Sequence, residues 1–588
     1  MTQNPPGMPE ICKSVAERSS RILAEFAQKQ GESFSAAVRD EMGIGKAFMD
    51  LYARMAANPA RMASMSMAMW SDYMKLWQST WMKMLGMPAQ PVAEPAKGDA
   101  RFKDEEWSSN FLFDYIKQSY LIAARHVQQT VAEVDGLPPE SEKKVAFFTR
   151  QYVDALSPSN FLMTNPQVLR ETVQSGGQNL VRGLNNLLSD LERGGGQLRI
   201  SMTDESAFHL GKNVATSPGK VIHQTPLMQL IQYQPTTTEV YKRPLVIIPP
   251  WINKYYILDL REKNSFIRWA VAQGHTVFVI SWVNPDERLA QKGFDDYMRE
   301  GAIAAFDAVE KATGERDLNA IGYCLGGTLL GATLGYLSNT NQQRVASATF
   351  FVSLLDFSQP GELGVFIDEE QVASLEKKMN ERGFLEGSEM AGTFNLLRSN
   401  DLVWSFVVNN YLLGKDPFPF DLLYWNADST RMPARMHSFY LRKMYLENLL
   451  GEPGGIDLDG VPVDLSAVKI PSYFISTIED HIAPWQGTYK GAKYLGGPVR
   501  FVLGGSGHIA GIVNPPASKK YHYWTNDALP ERAEEWLAGA NQIPGSWWED
   551  WQAWIDRQNA GEPKVPARQL QNAIEDAPGS YAMMRIAK

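Results

Sequence analysis

Cys324, at the junction of a strand pattern and a helix pattern, is the leading candidate for a catalytic residue in this sequence. The segment LNAIGYCLGG, residues 318–327, places glycines two positions before and after Cys324. That spacing is typical of a nucleophile elbow, whose strained turn between strand and helix leaves no room for flanking side chains. The N-terminus of the following helix also favours a thiolate. The pattern predicts a catalytic nucleophile at Cys324, with a buried structural cysteine as the alternative.

A base for this cysteine is expected later in the chain, because folds with such an elbow order nucleophile, acid and histidine along the sequence. His508 follows a strand pattern in VRFVLGGSGHIAG, inside a loop of small residues that can reach back to the elbow. We predict that His508 is the base. His437 and His522 lie among helical or aromatic residues and are predicted to be packing or surface groups.

The acid partner is predicted to be Asp480, which ends the strand pattern SYFISTIED. A carboxylate at a strand end can orient an imidazole from a neighbouring loop, whereas His481, next in the chain, points elsewhere. Glu479 and Asp356 are the alternatives. Successive side chains of a strand point to opposite faces, so Glu479 faces away from the side that Asp480 faces. Asp356 ends the strand that follows the elbow helix. For both, a surface or capping carboxylate is the competing interpretation.

Two backbone N–H groups are the predicted oxyanion hole. The loop IIPPWINKYYILDL follows the third strand-like run, where folds of this kind supply one donor, so Trp251 N–H is the first candidate. Leu325 N–H, next to the nucleophile, is the second. Each such donor contributes about 3 kcal/mol of transition-state stabilisation.

The elements that must position these groups indicate an α/β fold from about residue 218. Short β-branched runs alternate with helical stretches, as in a mostly parallel sheet. Between Asp356 and Pro471 the alternation stops, and this mostly helical insert is interpreted as a cap over the carboxyl ends of the strands. The C-terminal cluster GSWWEDWQAW is expected to pack against the core. The strand patterns are KVIHQTPLMQLIQY, RPLVIIPPW, TVFVISW, LNAIGY, ASATFFVSLLDF, PSYFISTIED and VRFVLGG.

The first two hundred residues are predicted to be helical, because their apolar residues recur at a spacing near 3.6. A stretch rich in Pro and charge, residues 86–106, is a linker or long loop. The large apolar residues of one helix form a stripe, for which a core or dimer-packing face is favoured and a granule or protein contact is the alternative. The stripe is Trp70, Met74, Trp77, Trp81 and Met84, and the helical patterns are residues 18–30, 58–85 and 107–134.

The charge, cysteine content and apolar stretches of the chain argue against several classes of protein. The 588 residues carry a net charge of -9, which argues against general nucleic-acid binding. The two cysteines, Cys12 and Cys324, lie far apart, so we expect no disulfide framework, and a reducing cytoplasm fits. No Cys/His spacing indicates a zinc site. The polar N-terminus is unlike a signal peptide, and no apolar stretch of about 18 residues is present to span a bilayer.

Sulfur at the elbow indicates acyl transfer. Cysteine is a better nucleophile and a better leaving group than serine, so it suits an enzyme that exchanges one thioester for another. A hydrolase gains little from this property. The expected donor is therefore an acyl thioester such as an acyl-CoA, although hydrolases with Cys-His-Asp sites exist.

Several longer stretches are more specific than the elbow alone, and through them the chain resembles the class I polyhydroxyalkanoate synthases, the poly(3-hydroxybutyrate) polymerases of the α/β-hydrolase superfamily. The resemblance covers residues from about 145 to the end, and the long helical N-terminal region also fits. The matching stretches are FTRQYVDALSPSNFLMTNPQVLRET, VIIPPWINKYYILDL, SWVNPD, GYCLGG, LRSNDLVWSFVVNNYLLG, PFDLLYWNADSTRMP, ISTIEDHIAPW and GGSGHIAGIVNPP.

The resemblance implies that Cys324, Asp480 and His508 are the catalytic residues and that the insert is a mobile cap. Cys324 would accept the acyl group of an (R)-3-hydroxyacyl-CoA, with short chains such as 3-hydroxybutyryl expected, and release CoA. His508 would deprotonate the thiol, and Asp480, with His508, would help activate the 3-hydroxyl that extends the chain. His481 follows the family's Asp-His pair and would line the CoA entry.

The resemblance also implies partners and location. The CoA thioester is the substrate, and no cofactor or metal is expected. We expect a cytoplasmic homodimer at the surface of polyhydroxyalkanoate granules, in contact with the growing polyester and with granule-associated proteins. Residues 1–205 would form a helical N-terminal domain for granule, partner or dimer contacts, and residues 206–588 the catalytic domain, with the cap at about 357–465. The alternatives are a thioesterase or polyester depolymerase on the same fold, and a non-enzymatic granule scaffold.

Overall fold

Two compact units divide the chain in the computed structural model, which describes residues 43–570 and 573–585. One unit contains the described residues of Met1–Asp204 together with Thr393–Phe418. The other contains Glu205–Gly392 and the described residues of Pro419–Ala587. Cys12 and the helix predicted at residues 18–30 lie outside the described residues.

The first unit is built from helices, as the apolar spacing predicts. Asparagine caps set several helix starts, because a side-chain oxygen accepts an otherwise unpaired N–H of the first turn. Asn58 accepts from Arg61 N, and Asn110 accepts from Leu112 N. The helices are α1 Ile44–Ala57, α2 Pro59–Met84, α3 Glu106–Ser109, α4 Phe111–Ala132, α5 Pro139–Ala155, α6 Pro166–Gln174 and α7 Gln178–Arg193.

The loop between α2 and α3 is fixed by a buried polar cluster on α4. Gln118, with no exposed surface, accepts hydrogen bonds from the backbone N–H groups of Val92 and Ala93. Asp114 binds Lys83 of α2 at 2.5 Å and Lys117 at 3.1 Å. The predicted linker is therefore a loop held by defined hydrogen bonds.

The Met/Trp stripe of α2 is exposed. Trp70, Trp77 and Trp81 have 66%, 58% and 52% of their surface accessible, and the rings of Trp77 and Trp81 stack with centroids 6.1 Å apart. The buried side of α2 carries Leu76, which packs with Ala93 and Ile122. The interpretation of the stripe as part of the chain's own core is therefore wrong.

Part of the central insert belongs to the first unit. Two π-helical turns, Asn400–Trp404 and Val407–Leu412, lie within Thr393–Phe418. Asn179 of α7 donates to the carbonyl of Leu412 at 2.8 Å, and the hydroxyl of Tyr411 donates to Asp190 of α7 at 2.7 Å. Gly183 of α7 lies so close to Tyr411 that a Cβ there would meet its carbonyl oxygen at 1.8 Å.

An eleven-stranded sheet organises the described residues of the second unit. All seven strand patterns are confirmed, and the first of them forms two strands, so β1 to β8 account for these patterns. Three later strands, β9 to β11, were not predicted. The strands are β1 Gly219–Gln224, β2 Met228–Tyr233, β3 Leu245–Ile248, β4 Val277–Trp282, β5 Leu318–Tyr323, β6 Val345–Phe351, β7 Ser472–Thr477, β8 Val499–Gly504, β9 His522–Thr525, β10 Asn541–Pro544 and β11 Glu575–Asp576.

The middle of this sheet is parallel and buried. The strand order is β10-β9-β8-β7-β6-β5-β3-β4-β2-β1-β11, in which β8 to β4 are parallel and the flanking pairs are antiparallel. Every residue of β3, β4 and β5 is buried. Continuous apolar strands are expected where helices cover both faces of a parallel sheet.

The helices of the second unit alternate with its parallel strands and continue through the insert. Trp547, Trp548, Trp551 and Trp554 are buried in the core cluster, as expected for the C-terminal aromatic residues. No helix among the described residues is long and apolar enough to cross a membrane. The helices are α8 Phe266–Ala272, α9 Ala304–Thr313, α10 Leu325–Asn339, α11 Glu369–Arg382, α12 Gly387–Leu397, α13 Asp421–Asn426, α14 Ala434–Phe439, α15 Trp485–Ala492, α16 Ala533–Ala538, α17 Trp547–Gln558 and α18 Ser580–Met583, with π-helical turns at Tyr297–Ile303 and Tyr440–Leu446.

Candidate active site

Cys324 occupies the turn between β5 and α10 in a strained backbone conformation. Its φ is 53° and its ψ is -120°, a region that non-glycine residues avoid because of Cβ contacts. The Cys324 N–H donates to the carbonyl of Phe351 at 2.8 Å, which ties the elbow to β6. Cys324 itself is partly accessible, between buried residues of the strand and helix. Its side chain packs at the edge of the core cluster.

Close backbone approach explains the glycines of the elbow. A Cβ at Gly326 would meet the carbonyl oxygen of Ile248 at 2.0 Å, and one at Gly322 would meet Gly327 at 2.4 Å. Further along α10, a Cβ at Gly331 would meet the side chain of Leu355 at 2.5 Å. The small-residue face lets α10 lie directly against the sheet and begin next to the loop after β3.

His508 and Asp480 come together at the carboxyl ends of β7 and β8. His508 Nδ1 and Asp480 Oδ2 are 2.7 Å apart, and both residues are 7% exposed. The backbone N–H groups of Ile482 and Ala483 each donate to the other carboxylate oxygen of Asp480 at 2.9 Å. The His508 ring stacks on Tyr323, the residue before the cysteine, at 6.0 Å. Asp480 thus fixes the imidazole beside the elbow.

The charges around His508 favour its protonated form. Burial lowers the pKa of His508, but the Asp480 carboxylate and the Cys324 thiolate outweigh burial and raise that pKa to about 10. A side-chain hydrogen bond with Cys324 acts in the same direction. A histidine that keeps its proton here places a positive charge beside the elbow.

The loop after β3, which carries Trp251, is held from three directions. The Trp282 indole donates to the carbonyl of Pro249 at 2.8 Å. Thr430 of the insert donates its hydroxyl to the Trp251 carbonyl at 2.5 Å. Lys254, only 2% exposed, donates to the carbonyls of Tyr581 and Met584 near the C-terminus, and its burial lowers its pKa to about 8. This loop is therefore rigid enough to present a backbone donor.

The alternative carboxylates lie elsewhere. Glu479 is exposed. Asp356, whose side chain is fully buried, binds Lys490 at 3.0 Å, Asn448 at 3.3 Å and the hydroxyl of Tyr494. Burial raises the pKa of Asp356, but these hydrogen bonds outweigh it and lower that pKa. Asp356 fixes the first residues of the insert instead of orienting a histidine.

The other three histidines after Cys324 lie at positions different from that of the His508 imidazole. His437 is buried on α14 with neither ring nitrogen bonded, and burial lowers its pKa to about 4. His522 lies on β9 against the ring of Trp524, at 4.5 Å. His481 follows Asp480 in a partly exposed turn. The predictions for His437 and His522 as packing or surface groups agree with these positions.

The sequence patterns missed an aromatic wall beside the cysteine. Tyr440 of the insert packs on Trp251 with ring centroids 5.7 Å apart, and Tyr445 packs on Phe357 at 5.0 Å. Charge on Cys324 contributes to the raised pKa values of both tyrosines, after burial, which is the larger cause. Among the described residues, no group of three or more His, Cys, Asp and Glu could hold a metal ion.

Two family models match this chain. Residues 98–270 match the N-terminus of poly-beta-hydroxybutyrate polymerase (PhaC), and residues 244–515 match the alpha/beta hydrolase fold. A thioesterase domain from the curacin biosynthetic pathway aligns with 51% of this chain and 96% of its own length, at 12% identity and a TM-score of 0.28. The fold assignment rests on the family model and on the order of strands in the sheet.

Curated relatives match nearly the whole chain. A poly(3-hydroxyalkanoate) polymerase subunit PhaC of Rhizobium meliloti (strain 1021) is 48% identical over 98% of this chain and 94% of its own. A poly(3-hydroxyalkanoate) polymerase of Methylorubrum extorquens is 51% identical over 87% and 85% of the two chains. The polymerase subunit of Cupriavidus necator is 42% identical over 91% and 90%. Together with the cysteine elbow of an α/β-hydrolase fold, this similarity shows that the chain belongs to the poly(3-hydroxyalkanoate) polymerase family of enzymes.

Proposed function

We propose that this protein polymerises (R)-3-hydroxyacyl-CoA, with short-chain units such as 3-hydroxybutyryl, into polyhydroxyalkanoate and releases CoA. The observation that carries the proposal is a cysteine in a strained elbow beside a histidine that is held by a buried aspartate. The substrate class follows from the names of the relatives, which are poly(3-hydroxyalkanoate) polymerases.

The first step transfers the acyl group from CoA to Cys324. His508 removes the thiol proton, and the sulfur attacks the thioester carbonyl of the substrate. The carbonyl oxygen gains charge, which the N–H groups of Trp251 and Leu325 stabilise as the proposed oxyanion hole. The bond to the CoA sulfur then breaks, and CoA leaves with the proton from His508. One thioester replaces another, so the step is close to balanced in energy.

The second step extends the polyester. His508 accepts the proton of a 3-hydroxyl, with Asp480 orienting the imidazole and supporting the charge that forms on it. The hydroxyl oxygen attacks the thioester on Cys324, an ester bond forms, and the cysteine sulfur leaves and regains a proton. Cys324 suits this step because a thiolate is a better leaving group than an alkoxide. His481, next to Asp480, is proposed to line the CoA entry.

The insoluble product sets the proposed location. A growing polyester separates from water, so the enzyme is proposed to work as a cytoplasmic homodimer at the granule surface, alongside granule-associated proteins. The exposed stripe of α2 supports this proposal, because it presents tryptophan and methionine side chains to solvent. Residues 1–205 are the proposed granule and partner domain. Residues 206–588 are the proposed catalytic domain with a cap at about 357–465, of which Thr393–Phe418 belongs to the first unit.

Incubation of the purified full-length protein with (R)-3-hydroxybutyryl-CoA tests the proposal. A synthase releases CoA, followed as free thiol, while the acyl groups accumulate as turbidity. Release of CoA together with free 3-hydroxybutyrate and no turbidity would indicate a thioesterase. Release of neither product would reject both enzymatic functions.

A further inference from the structure

A short segment of the insert, centred on Thr430, lies along the loop that follows β3. The Thr430 N–H donates to the carbonyl of Ile252 at 3.1 Å, and the Thr430 hydroxyl donates to the carbonyl of Trp251 at 2.5 Å. Next to these bonds, Ser429 and Asn253 form an antiparallel bridge. One residue of the insert therefore holds two successive carbonyl groups of this loop.

These hydrogen bonds are shielded from water, because Thr430, Trp251 and Ile252 are all buried. A hydrogen bond is electrostatically stronger in a protein interior than in water. A buried carbonyl that loses its donor also keeps the full cost of its desolvation. The position of the loop therefore depends on the Thr430 hydroxyl.

The loop is in direct contact with the elbow. A Cβ at Gly326 would meet the carbonyl oxygens of Ile248 and Pro249 at 2.0 and 2.7 Å. Pro249 and Pro250 carry no N–H, so Trp251 supplies the first backbone donor after β3. A shift of the loop would consequently change the distance between the Trp251 N–H and the elbow.

Two backbone N–H groups remain available at this contact. Leu325 is the first residue of α10, and the first N–H groups of a helix have no carbonyl partner within that helix. Within the described part of the chain, no carbonyl or side chain accepts a hydrogen bond from the Trp251 N–H. Buried N–H groups are nearly always paired, so an unpaired one beside a nucleophile is available to an oxygen of the substrate.

We propose that Thr430 is a positioning residue for the oxyanion hole, and that it holds the carbonyls of Trp251 and Ile252 so that the Trp251 N–H faces the acyl oxygen. This inference rests on the proposed function. The acyl oxygen gains charge only when the Cys324 sulfur attacks a carbonyl. The Thr430 hydrogen bonds therefore act on acyl transfer and leave the reactivity of the sulfur itself unchanged. Part of the insert is then a fixed wall of the active site.

Two substitutions test this role. Thr430→Val keeps the shape of the side chain and removes the hydroxyl, whereas Thr430→Ser keeps the hydroxyl. With enzyme in excess over (R)-3-hydroxybutyryl-CoA, the rate of CoA release measures acylation of Cys324. That rate should fall about 10- to 100-fold in Thr430→Val, the scale on which misplacement of a catalytic group acts. It should stay near the wild-type rate in Thr430→Ser.

Alkylation of Cys324 by iodoacetamide separates positioning from damage to the elbow. This reaction forms no oxyanion, so its rate should be the same in the wild type and in both variants. Equal falls of acylation and alkylation in Thr430→Val would overturn the proposal, because the hydroxyl would then only support the fold. Equal acylation rates in Thr430→Val and Thr430→Ser would also overturn it. Thr430→Ala, which lacks the hydroxyl too, provides the same comparison if Thr430→Val does not fold.

Thr333→Val is the matched control. Thr333 is buried on α10, and its hydroxyl donates to the carbonyl of Leu329 at 2.7 Å, so the substitution removes a similar hydrogen bond within the same unit. Acylation by this variant should proceed at the wild-type rate. A fall as large as that in Thr430→Val would show that loss of any buried threonine hydroxyl has this effect, which contradicts a specific role for Thr430.

The wild-type protein separates this inference from the proposed function. If it releases no CoA from (R)-3-hydroxybutyryl-CoA, the proposed function fails, and the inference fails with it. If it releases CoA and forms polymer while Thr430→Val is acylated at the wild-type rate, the inference alone fails.

Discussion

In the proposed mechanism, Cys324 combines a backbone conformation that also suits a serine nucleophile with sulfur as the attacking atom. The geometry of the elbow, at φ 53°, supports attack on a carbonyl with either atom. The difference lies in the intermediate, because a cysteine thioester passes its acyl group to a hydroxyl more readily than a serine ester does. At the scale of the residue, the proposed transferase activity therefore depends on sulfur at position 324.

Cys324→Ser should therefore be severely impaired in polymer formation. We expect a fall of more than about 100-fold, the scale on which loss of one catalytic group acts. The measurement is CoA release and turbidity from (R)-3-hydroxybutyryl-CoA. Cys324→Ala is the control, in which neither should be detected. Turnover of the serine variant near the wild-type rate would contradict the argument for sulfur. Unchanged polymer formation in cells that carry the alanine variant would favour a scaffold.

The Asp480–His508 pair should show a defined pH dependence. The pKa of folded His508 lies near 10, above its ordinary value of 6.5, so protonation stabilises the folded state. That stability is fully present below about pH 6.5 and is lost as the pH rises through about 10. Asp480→Asn removes the charge that contributes most to the raised pKa. The difference in thermal midpoint between wild type and Asp480→Asn should therefore shrink steadily from pH 6 to pH 10.

A surface pair provides the control for that series. Asp576, on β11, has an exposed side chain and binds Lys220 of β1, so Asp576→Asn should shift the thermal midpoint little at any pH in this range. A constant difference between wild type and Asp480→Asn across the series would mean that the carboxylate acts only by packing.

Cys324, Asp480 and His508 could be predicted as a group from the sequence for one physical reason. Each follows a strand run, and the carboxyl ends of parallel strands meet at one edge of the sheet. Tyr440 and Tyr445 could not be predicted as a pair in this way, because residues five positions apart point to different sides of an α-helix. The π-turn that joins them breaks the helical period, and no propensity in the sequence marks it.

The same limit applies to whole elements. Helical spacing correctly indicated that α2 is a helix with a stripe of large apolar side chains, but spacing does not tell which face packs against the rest of the chain. The structure buries the side with Leu76 and leaves the Met/Trp stripe exposed. Likewise, β9 to β11 are only two to four residues long, which is too short for an alternating strand pattern to be recognised, and antiparallel pairing with neighbouring strands defines them.

Removal of the stripe should weaken attachment to polymer. Burial of one large apolar side chain contributes about 2 kcal/mol, so Trp70→Gln, Trp77→Gln and Trp81→Gln together should release most of the protein from polyester particles. The measurement is co-sedimentation with washed poly(3-hydroxybutyrate) particles. The combined variant should keep its initial rate of CoA release, because the stripe is separate in sequence from the catalytic residues.

Other exposed apolar residues of the first unit serve as a control for whether attachment to polymer is specific to the stripe. Tyr52, Tyr152 and Val173 are 74%, 67% and 81% exposed, and replacing all three by glutamine should leave sedimentation unchanged. Equal sedimentation of the stripe variant and the wild type would show that α2 is not the polymer contact. A change in oligomeric state in the stripe variant alone would assign the stripe to dimer formation.

At the scale of the whole molecule, residues that are neighbours in the sequence do not all belong to the same compact unit. The insert begins in the second unit, contributes Thr393–Phe418 to the first, and returns. The sequence suggested one continuous cap, because helical spacing contains no information on which helices pack together. Within the described residues, the chain consequently passes from one unit to the other at three places, near residues 204, 392 and 418. The N-terminal helices are therefore part of the support for a segment of the insert.

Gly183→Val should expose this dependence in the full-length protein. A Cβ at Gly183 would lie 1.8 Å from the carbonyl oxygen of Tyr411, so valine forces Thr393–Phe418 away from α7. Overpacking of this kind costs about 1–3 kcal/mol, which should raise the rate of thermolysin cleavage within the segment about tenfold. Mass spectrometry of the fragments locates the cut. Gly392→Ala is the control, since a Cβ there meets nothing within 4 Å. Cleavage at the wild-type rate in Gly183→Val would show that α7 does not hold the segment.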